Sequence, residues 1–213
     1  MERRHMRRSR GVKPLALVLA LVLVVGCAVG GTLAWLTAES SEVKNVFTTS
    51  DIGVKLEETK GNEGADGTKA FKMVPGWTIA KDPKATVTTG SEDCYLFVKV
   101  EKSENFNNFM EYEIADGWTA LKDVDGVYYM IFDSKDDENT NKKGEAYSIL
   151  DGDEVTVKKN VTKANMNGLT ADDDYPTLTF TAYAVQLYKD NDTQFTAAKA
   201  WEIAAKLETT TNS

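Results

Sequence analysis

Short runs of residues with a period of two are the feature that most constrains the fold of this chain. In residues 95–101 the side chains of Leu96, Val98 and Val100 fall on one face, and in residues 177–187 threonines alternate with apolar residues. Three further runs alternate in the same way or are rich in aromatic and β-branched residues: 51–57, 127–133 and 154–157. This pattern predicts half-buried β-strands.

Turn-forming stretches separate these runs. They are residues 58–68, 88–93, 133–144, 150–153 and 168–176. Strands joined by such loops, without helices between them, are typical of antiparallel pairing, so the sequence predicts a mostly β protein with an antiparallel sandwich or jelly roll. A short C-terminal helix is also predicted, capped by Thr196. Apolar residues follow this cap at helical spacing: Ala197, Ala200, Trp201, Ala204 and Leu207.

The N-terminus has the architecture of a secretory signal peptide. Six basic residues and one acidic residue lie within the first thirteen positions, residues 14–38 carry no charge, and an apolar run at 15–25 precedes small residues. This order predicts export, with cleavage between Ala34 and Trp35. The predicted localisation is therefore secreted, in the extracellular matrix or at the cell surface. Signal peptidase is then a partner, and the membrane is contacted only through the signal peptide.

Two alternatives to this cleavage stay open. Residues 24–27 look like a bacterial lipobox with Cys27 as the acylated residue, although the chain after Cys27 continues apolar where a lipoprotein usually begins a polar tether. The uncharged run at 14–38 could also remain in the bilayer as an anchor, although glycines and threonines dilute its second half.

The exported part of the chain is acidic and lacks histidine. Beyond the first thirteen positions there are 19 basic and 32 acidic residues, a net charge of −13. Phosphate binding needs a basic surface, so nucleic acid is not an expected partner. The single histidine is His5, and no HExxH motif occurs. A Ser-His-Asp triad and His-ligated zinc are therefore excluded, and no catalytic residue, metal ligand or cofactor is predicted.

The cysteine of the exported part, Cys94, is predicted to be structural. It stands at a strand start, after Glu92 and Asp93 and before an aromatic run. Acidic neighbours raise the pKa of a thiol, which disfavours a nucleophile. A disulfide between two chains is the alternative for an odd cysteine in an exported protein.

Clusters of acidic residues fall in several loops. They are residues 123–125, 133–138, 151–153, 172–174 and 190–192. Ca²⁺ binds such oxygen ligands, but none of the clusters has the spacing of an EF-hand loop. The sequence favours a solvated acidic surface over a calcium site.

One turn in the chain has a direct physical interpretation. Pro75 and Gly76 fit the central positions of a type II turn, in which glycine supplies a positive φ. Pro83, which follows Asp82, cannot donate to a β-ladder and is expected at a strand start or a sheet edge. Pro75, Gly76 and Pro83 are predicted to shape the fold and to perform no chemistry.

Motifs at the signal junction and around this turn occur together in a known family. The relevant stretches are residues 30–37, 45–50, 73–87, 90–100, 181–186 and 197–201. Together they cover most of the chain and resemble the TasA/camelysin family, Gram-positive proteins whose signal peptides are cut by a SipW-type signal peptidase. In that family a proline-glycine turn, here Pro75-Gly76, introduces paired strands that follow a motif like Lys81-Asp82-Pro83.

The resemblance implies a jelly-roll-type β-sandwich that assembles with itself or with other matrix proteins. In fibre-forming relatives, the segment exposed by signal cleavage is donated as a strand to the next subunit. Here that segment is residues 35–47, and its apolar residues are Trp35, Leu36, Val43, Val46 and Phe47. The alternative is that residues 43–47 complete the sheet of their own chain.

The predicted function is a non-enzymatic structural protein of a cell surface or biofilm matrix that forms fibres by N-terminal strand donation. Two alternatives stay open: a camelysin-like surface metallopeptidase, for which no metalloprotease motif is present, and a monomeric surface module that binds a ligand or partner. The predicted organisation is a signal peptide at residues 1–34, an exposed segment at 35–50, a β-sandwich at 51–190, and a helix with a tail at 191–213.

Overall fold

The computed structural model describes residues 37–40, 43–45, 52–59, 62–63, 69–170, 174–190 and 193–211. The strands are β1 (Thr37–Ser40), β2 (Val43–Asn45), β3 (Val54–Glu57), β4 (Asn62–Glu63), β5 (Lys69–Lys72), β6 (Thr78–Ala80), β7 (Lys84–Val87), β8 (Cys94–Lys102), β9 (Met110–Glu111), β10 (Thr119–Ala120), β11 (Val127–Phe132), β12 (Ala146–Ser148), β13 (Glu154–Val157) and β14 (Leu178–Gln186). The helices are α1 (Phe106–Phe109), α2 (Lys163–Asn167) and α3 (Ala197–Thr211), and a 3₁₀ turn lies at Asp151–Asp153.

Most strand pairs are antiparallel, which confirms the predicted mostly β class. The largest sheet of the described residues has the order β10-β11-β8-β14-β2. Its only parallel pair joins β14 and β2. Three smaller sheets are antiparallel throughout, with the orders β1-β5-β4, β12-β7-β3 and β6-β13-β9.

Alternation along β8 places its side chains in two different cores. Leu96, Val98 and Val100 lie in the larger hydrophobic cluster, on one face of the sheet as predicted. Tyr95 and Phe97, between them in sequence, lie in the second cluster on the opposite face. The larger cluster also contains buried residues of β3, β7 and β13, so one face of the five-stranded sheet packs against strands of the sheets β12-β7-β3 and β6-β13-β9. Both faces of β8 are therefore buried, so the prediction that this strand is half-buried is wrong: a second hydrophobic cluster covers the face that was expected to meet solvent.

Helix α3 covers the second face of the five-stranded sheet. Ala200 and Ala204 are fully buried, and the Trp201 ring lies 5.5 Å from the ring of Phe97 and 5.4 Å from that of Tyr183. The backbone N–H of Lys199 donates to Thr196 Oγ1 at 3.3 Å. The predicted helix and its cap are therefore confirmed, and so is its apolar face at Ala200, Trp201 and Ala204, whereas the side chain of Leu207 lies outside the described part.

The strand prediction is confirmed for every run that it named, but it missed several short strands. Each of the five predicted runs contains a strand, namely β3, β8, β11, β13 and β14. By contrast, β4 lies within residues 58–68, where the sequence indicates only a turn. Strands of two or three residues, such as β6, β9, β10 and β12, are too short to show a period.

Candidate assembly site

The predicted assembly segment is described in part, and that part pairs within its own chain. β2 lies parallel to β14 at the end of the five-stranded sheet. The register joins Val43 with Phe180, Lys44 with Thr181, and Asn45 with Ala182. The other residues predicted for assembly and cleavage lie outside the described residues: Ala34, Trp35, Leu36, Val46 and Phe47. In a single chain, therefore, residues 43–45 occupy the position expected if the segment completes its own sheet.

The strand that pairs with β2 in the sheet, β14, is a core strand. Phe180 and Ala182 of β14 are fully buried in the larger cluster, and the other edge of β14 pairs with β8 along its whole length. Buried backbone N–H and C=O groups need hydrogen-bond partners. A strand in the position of β2 supplies such partners at residues 180–182, on the edge of β14 that does not pair with β8.

The segment before β2 also pairs with the rest of the chain. β1 lies antiparallel to β5, and Thr37 is opposite Lys72 while Ser40 is opposite Lys69. Residues 37–45 thus contribute strands to two different sheets, although only two residues separate β1 from β2.

The predicted turn at Pro75-Gly76 has the expected geometry. The N–H of Trp77 donates to the carbonyl of Val74 at 2.9 Å, and Gly76 has a φ of 76°. The N–H of Gly76 donates to the carbonyl of Val157 at 2.9 Å, which holds the turn against β13. A Cβ at Gly76 is disfavoured by the positive φ, so the glycine is a requirement of the turn.

The Lys81-Asp82-Pro83 motif is buried and connects two parts of the fold. Lys81 Nζ donates to both carboxylate oxygens of Glu58, at 3.0 and 3.1 Å. Asp82 accepts hydrogen bonds from the backbone N–H and the hydroxyl of Thr59. Residues 58–59 follow β3, so these bonds fasten the end of β3 to the connection between β6 and β7. Asp82, which the resemblance places in the family core turn, thus joins two parts of the fold.

Pro83 lies immediately before β7 and is buried. Its carbonyl accepts a hydrogen bond from the N–H of Ile149 at 3.0 Å. The predicted position of this proline at a strand start is confirmed, because its missing N–H falls outside the ladder of β7.

Several acidic loop residues shape the turns in which they lie. Asp133 Oδ1 accepts from the N–H of Lys135, Asp136 Oδ1 from that of Glu138, and Asp190 Oδ1 from that of Thr193. Such bonds are the reason that aspartate favours turns. In the described part of the chain, no three His, Cys, Asp or Glu side chains come together in a way that could hold a metal ion.

Cys94 is buried at the first position of β8, beside a polar network. Burial raises the pKa of its thiol to about 12, which Lys143 opposes and Asp93 reinforces. Burial also acts to raise the pKa of Asp93, but hydrogen bonds from Lys143 and Ser134 outweigh it and hold that pKa below its usual value. Lys143 Nζ and Ser134 Oγ donate to Asp93 at 2.8 and 2.7 Å. A buried, protonated thiol agrees with the predicted structural role of Cys94.

The sequence did not indicate an acidic groove beside β9. The groove has a volume of about 370 Å³ and is lined by Glu111, Tyr112, Glu113, Asp151, Glu154 and Thr156. Burial raises the pKa of Tyr112 to about 12, with smaller contributions from Tyr128 and Asp125. The alternation of Glu111-Tyr112-Glu113 was the available signal, but it is too short to distinguish a groove from a solvated edge.

No helix among the described residues has the length and apolar character required to cross a bilayer.

Comparison of the chain with family models, with curated proteins and with solved structures gave no match.

Proposed function

We propose that this chain is an exported structural subunit of a cell surface or biofilm matrix, of the TasA/camelysin type. Its signal peptide is removed after Ala34, and the released chain folds as a jelly-roll-type β-sandwich. It polymerises when the N-terminal segment of one subunit takes the place of β2 in the next subunit. The partners are other copies of the chain or other matrix proteins, and the function involves no catalysis.

The position of β2 is the observation that carries this proposal. β2 is three residues long, lies at the edge of its sheet and makes the only parallel pair among the described strands. An identical strand from another copy can form the same backbone hydrogen bonds with β14. Exchange of identical elements has a low cost because the bonds lost within one chain are regained between chains.

The proximity of β1 and β2 to the N-terminus makes such an exchange feasible. Both strands precede the described core strands, and the chain between β2 and β3 runs from residue 46 to residue 53. Eight residues in an extended conformation span at most about 26–29 Å, which is enough to reach a neighbouring subunit.

A pair of cysteine substitutions tests where β2 lies in the assembled protein. Lys44 and Thr181 are register partners, so Lys44→Cys together with Thr181→Cys places two thiols at neighbouring positions on β2 and β14. Neighbouring strands of a sheet lie about 4.8 Å apart, within the range of Cα separations that a disulfide bridges. The exported protein is assembled under reducing conditions, and the fibres are then oxidised and separated by denaturing electrophoresis.

If strands are donated, the oxidised fibres give a ladder of covalent multimers. The single variants Lys44→Cys and Thr181→Cys are matched controls and give monomers, since Cys94 is buried with a raised pKa. Fibres whose disulfides form only within monomers would contradict strand donation. A protein that stays monomeric at all concentrations, pH values and salt concentrations would contradict the fibre function itself.

A further inference from the structure

β6 is the last strand of the sheet β6-β13-β9 as the described residues form it, and its outer edge is open. On the inner side, the N–H of Val157 donates to the carbonyl of Trp77 at 2.9 Å, and the N–H of Lys81 donates to the carbonyl of Asp153 at 2.8 Å. In an antiparallel pair these bonds recur at every second residue. The N–H and C=O groups of Thr78 and Ala80 therefore point away from β13, and both residues are exposed.

This edge is short but lacks one usual protection against strand addition, a charged side chain. Soluble proteins commonly place charged side chains on open edges. β3 carries Lys55 and Glu57, whereas β6 and the preceding Trp77 carry no charge. The Trp77 side chain is 66% exposed beside the turn at residues 75–76. An uncharged edge next to an exposed indole is suited to pair with another strand.

The two ends of β6 have opposite charge. Lys159 lies beside Gly76, at the Trp77 end of the strand. Glu154 is the register partner of Ala80, and Asp151 lies close by in the 3₁₀ turn before β13. The side chains of Lys159, Glu154 and Asp151 are all exposed. The edge is therefore basic at its beginning and acidic at its end.

We infer that β6 is a self-association edge, which pairs antiparallel with β6 of a second copy about a two-fold axis at Ile79. This pairing places Thr78 of each copy opposite Ala80 of the other, so that the outward backbone groups bond reciprocally. It also brings the basic end of each edge toward the acidic end of the other. The self-complementary charge identifies a second copy as the occupant, because an edge of this polarity matches its own reverse.

The contact goes beyond the proposed function and does not rest on strand donation. Donation through β2 joins subunits along a fibre, whereas β6 joins two subunits side by side. The paired area is small, so the association is weak and reversible.

The test measures the dimerisation of the exported protein in its fibre-free fraction. Sedimentation velocity across a concentration series gives the dissociation constant, and hydrogen exchange reports on the amides of Thr78 and Ala80. We expect a reversible dimer in which exchange of these two amides slows as the concentration rises. We also expect dimerisation to weaken with added salt, since salt screens the complementary ends.

Two variants and a matched control identify the edge. Thr78→Glu adds negative charge to the basic end and faces the acidic end of the second copy, so it weakens dimerisation by about tenfold or more. Ala80→Pro removes an outward N–H and leaves the ladder with β13 intact, so it has the same effect. Thr119→Glu changes an exposed threonine of β10, at the edge of the five-stranded sheet, and leaves the dissociation constant unchanged.

A wild-type protein that shows no dimer at any concentration would overturn the inference. So would folded Thr78→Glu protein that dimerises as tightly as the wild type, with circular dichroism used to verify the fold. The two proposals fail separately: Thr78→Glu still yields the covalent ladder if strands are donated, and an intact dimer without that ladder refutes donation alone.

Discussion

At the scale of single residues, the ion pair between Lys81 and Glu58 shows how position decides the contribution of a charge. Their side chains are 3% and 0% exposed, and Lys81 Nζ also lies 5.4 Å from the centre of the Phe180 ring. A buried ion pair contributes little net stability compared with apolar residues of the same volume. Removal of one partner is costly, however, because the remaining charge stays buried without the opposite charge of the pair.

The substitution Lys81→Met is therefore expected to lower the free energy of unfolding by about 3–5 kcal/mol. The double variant Lys81→Met with Glu58→Leu is expected to recover most of that loss, since no buried charge of the pair remains. Urea unfolding measures both. As a control, Lys142→Met breaks an exposed pair with Glu145 and should change stability by at most about 1 kcal/mol. Equal losses in the single and the double variant would show that the cost lies in packing and not in charge.

At the scale of elements, local pattern was a good guide where an element is long. The period in residues 95–101 predicts which side chains of β8 share a face, and the spacing from Ala197 to Ala204 predicts the buried face of α3. Both predictions are confirmed because side chains alternate between the faces of a strand and recur every three or four residues along a helix. The same rule gives no information about β6 or β9, where two or three residues complete no pattern. The acidic groove beside β9 was missed for that reason.

The cap of α3 gives a prediction at this scale. Thr196→Ala removes the side-chain acceptor for the N–H of Lys199 and is expected to cost about 1 kcal/mol of stability. Thr196→Ser keeps the hydroxyl and should lose only a small part of that amount. Thermal unfolding followed by circular dichroism at helical wavelengths can compare the three proteins. If the serine variant loses as much as the alanine variant, the hydroxyl does not cap the helix.

At the scale of the whole molecule, β8 and β14 couple the two hydrophobic clusters. Phe97 and Tyr183 face α3, while Val98 and Ala182, their neighbours in sequence, face the larger cluster. One cluster cannot open without disturbing strands that also form the other. The C-terminal helix is therefore expected to unfold together with the sheets, although the sequence alone separates it as residues 191–213.

Trp201→Ala tests this coupling. Loss of the contacts with Phe97 and Tyr183 is expected to destabilise the whole protein by about 3 kcal/mol. In a urea titration, one unfolding midpoint is measured by helical circular dichroism and a second by the reactivity of the Cys94 thiol. Both midpoints should move to the same lower urea concentration. Cys94 is a suitable probe because it lies in the larger cluster, on the far side of the sheet from α3. Lys199→Ala, on the exposed side of the helix, should leave both transitions in place. Helix loss while Cys94 stays protected would contradict the coupling.

The amino-acid sequence by itself determined the local features of this protein. The β-strand runs, the positive φ at Gly76, the strand start after Pro83 and the apolar face of α3 all follow from residues within about ten positions of one another. Only the tertiary structure decided which elements meet. The parallel pairing of β2 with β14 and the bond from Lys81 to Glu58 join residues that are distant in sequence. The open edge of β6 belongs to a strand that is too short to show a pattern. The physical reason is that backbone geometry is set by neighbouring residues, whereas pairing and burial depend on the packing of the whole chain.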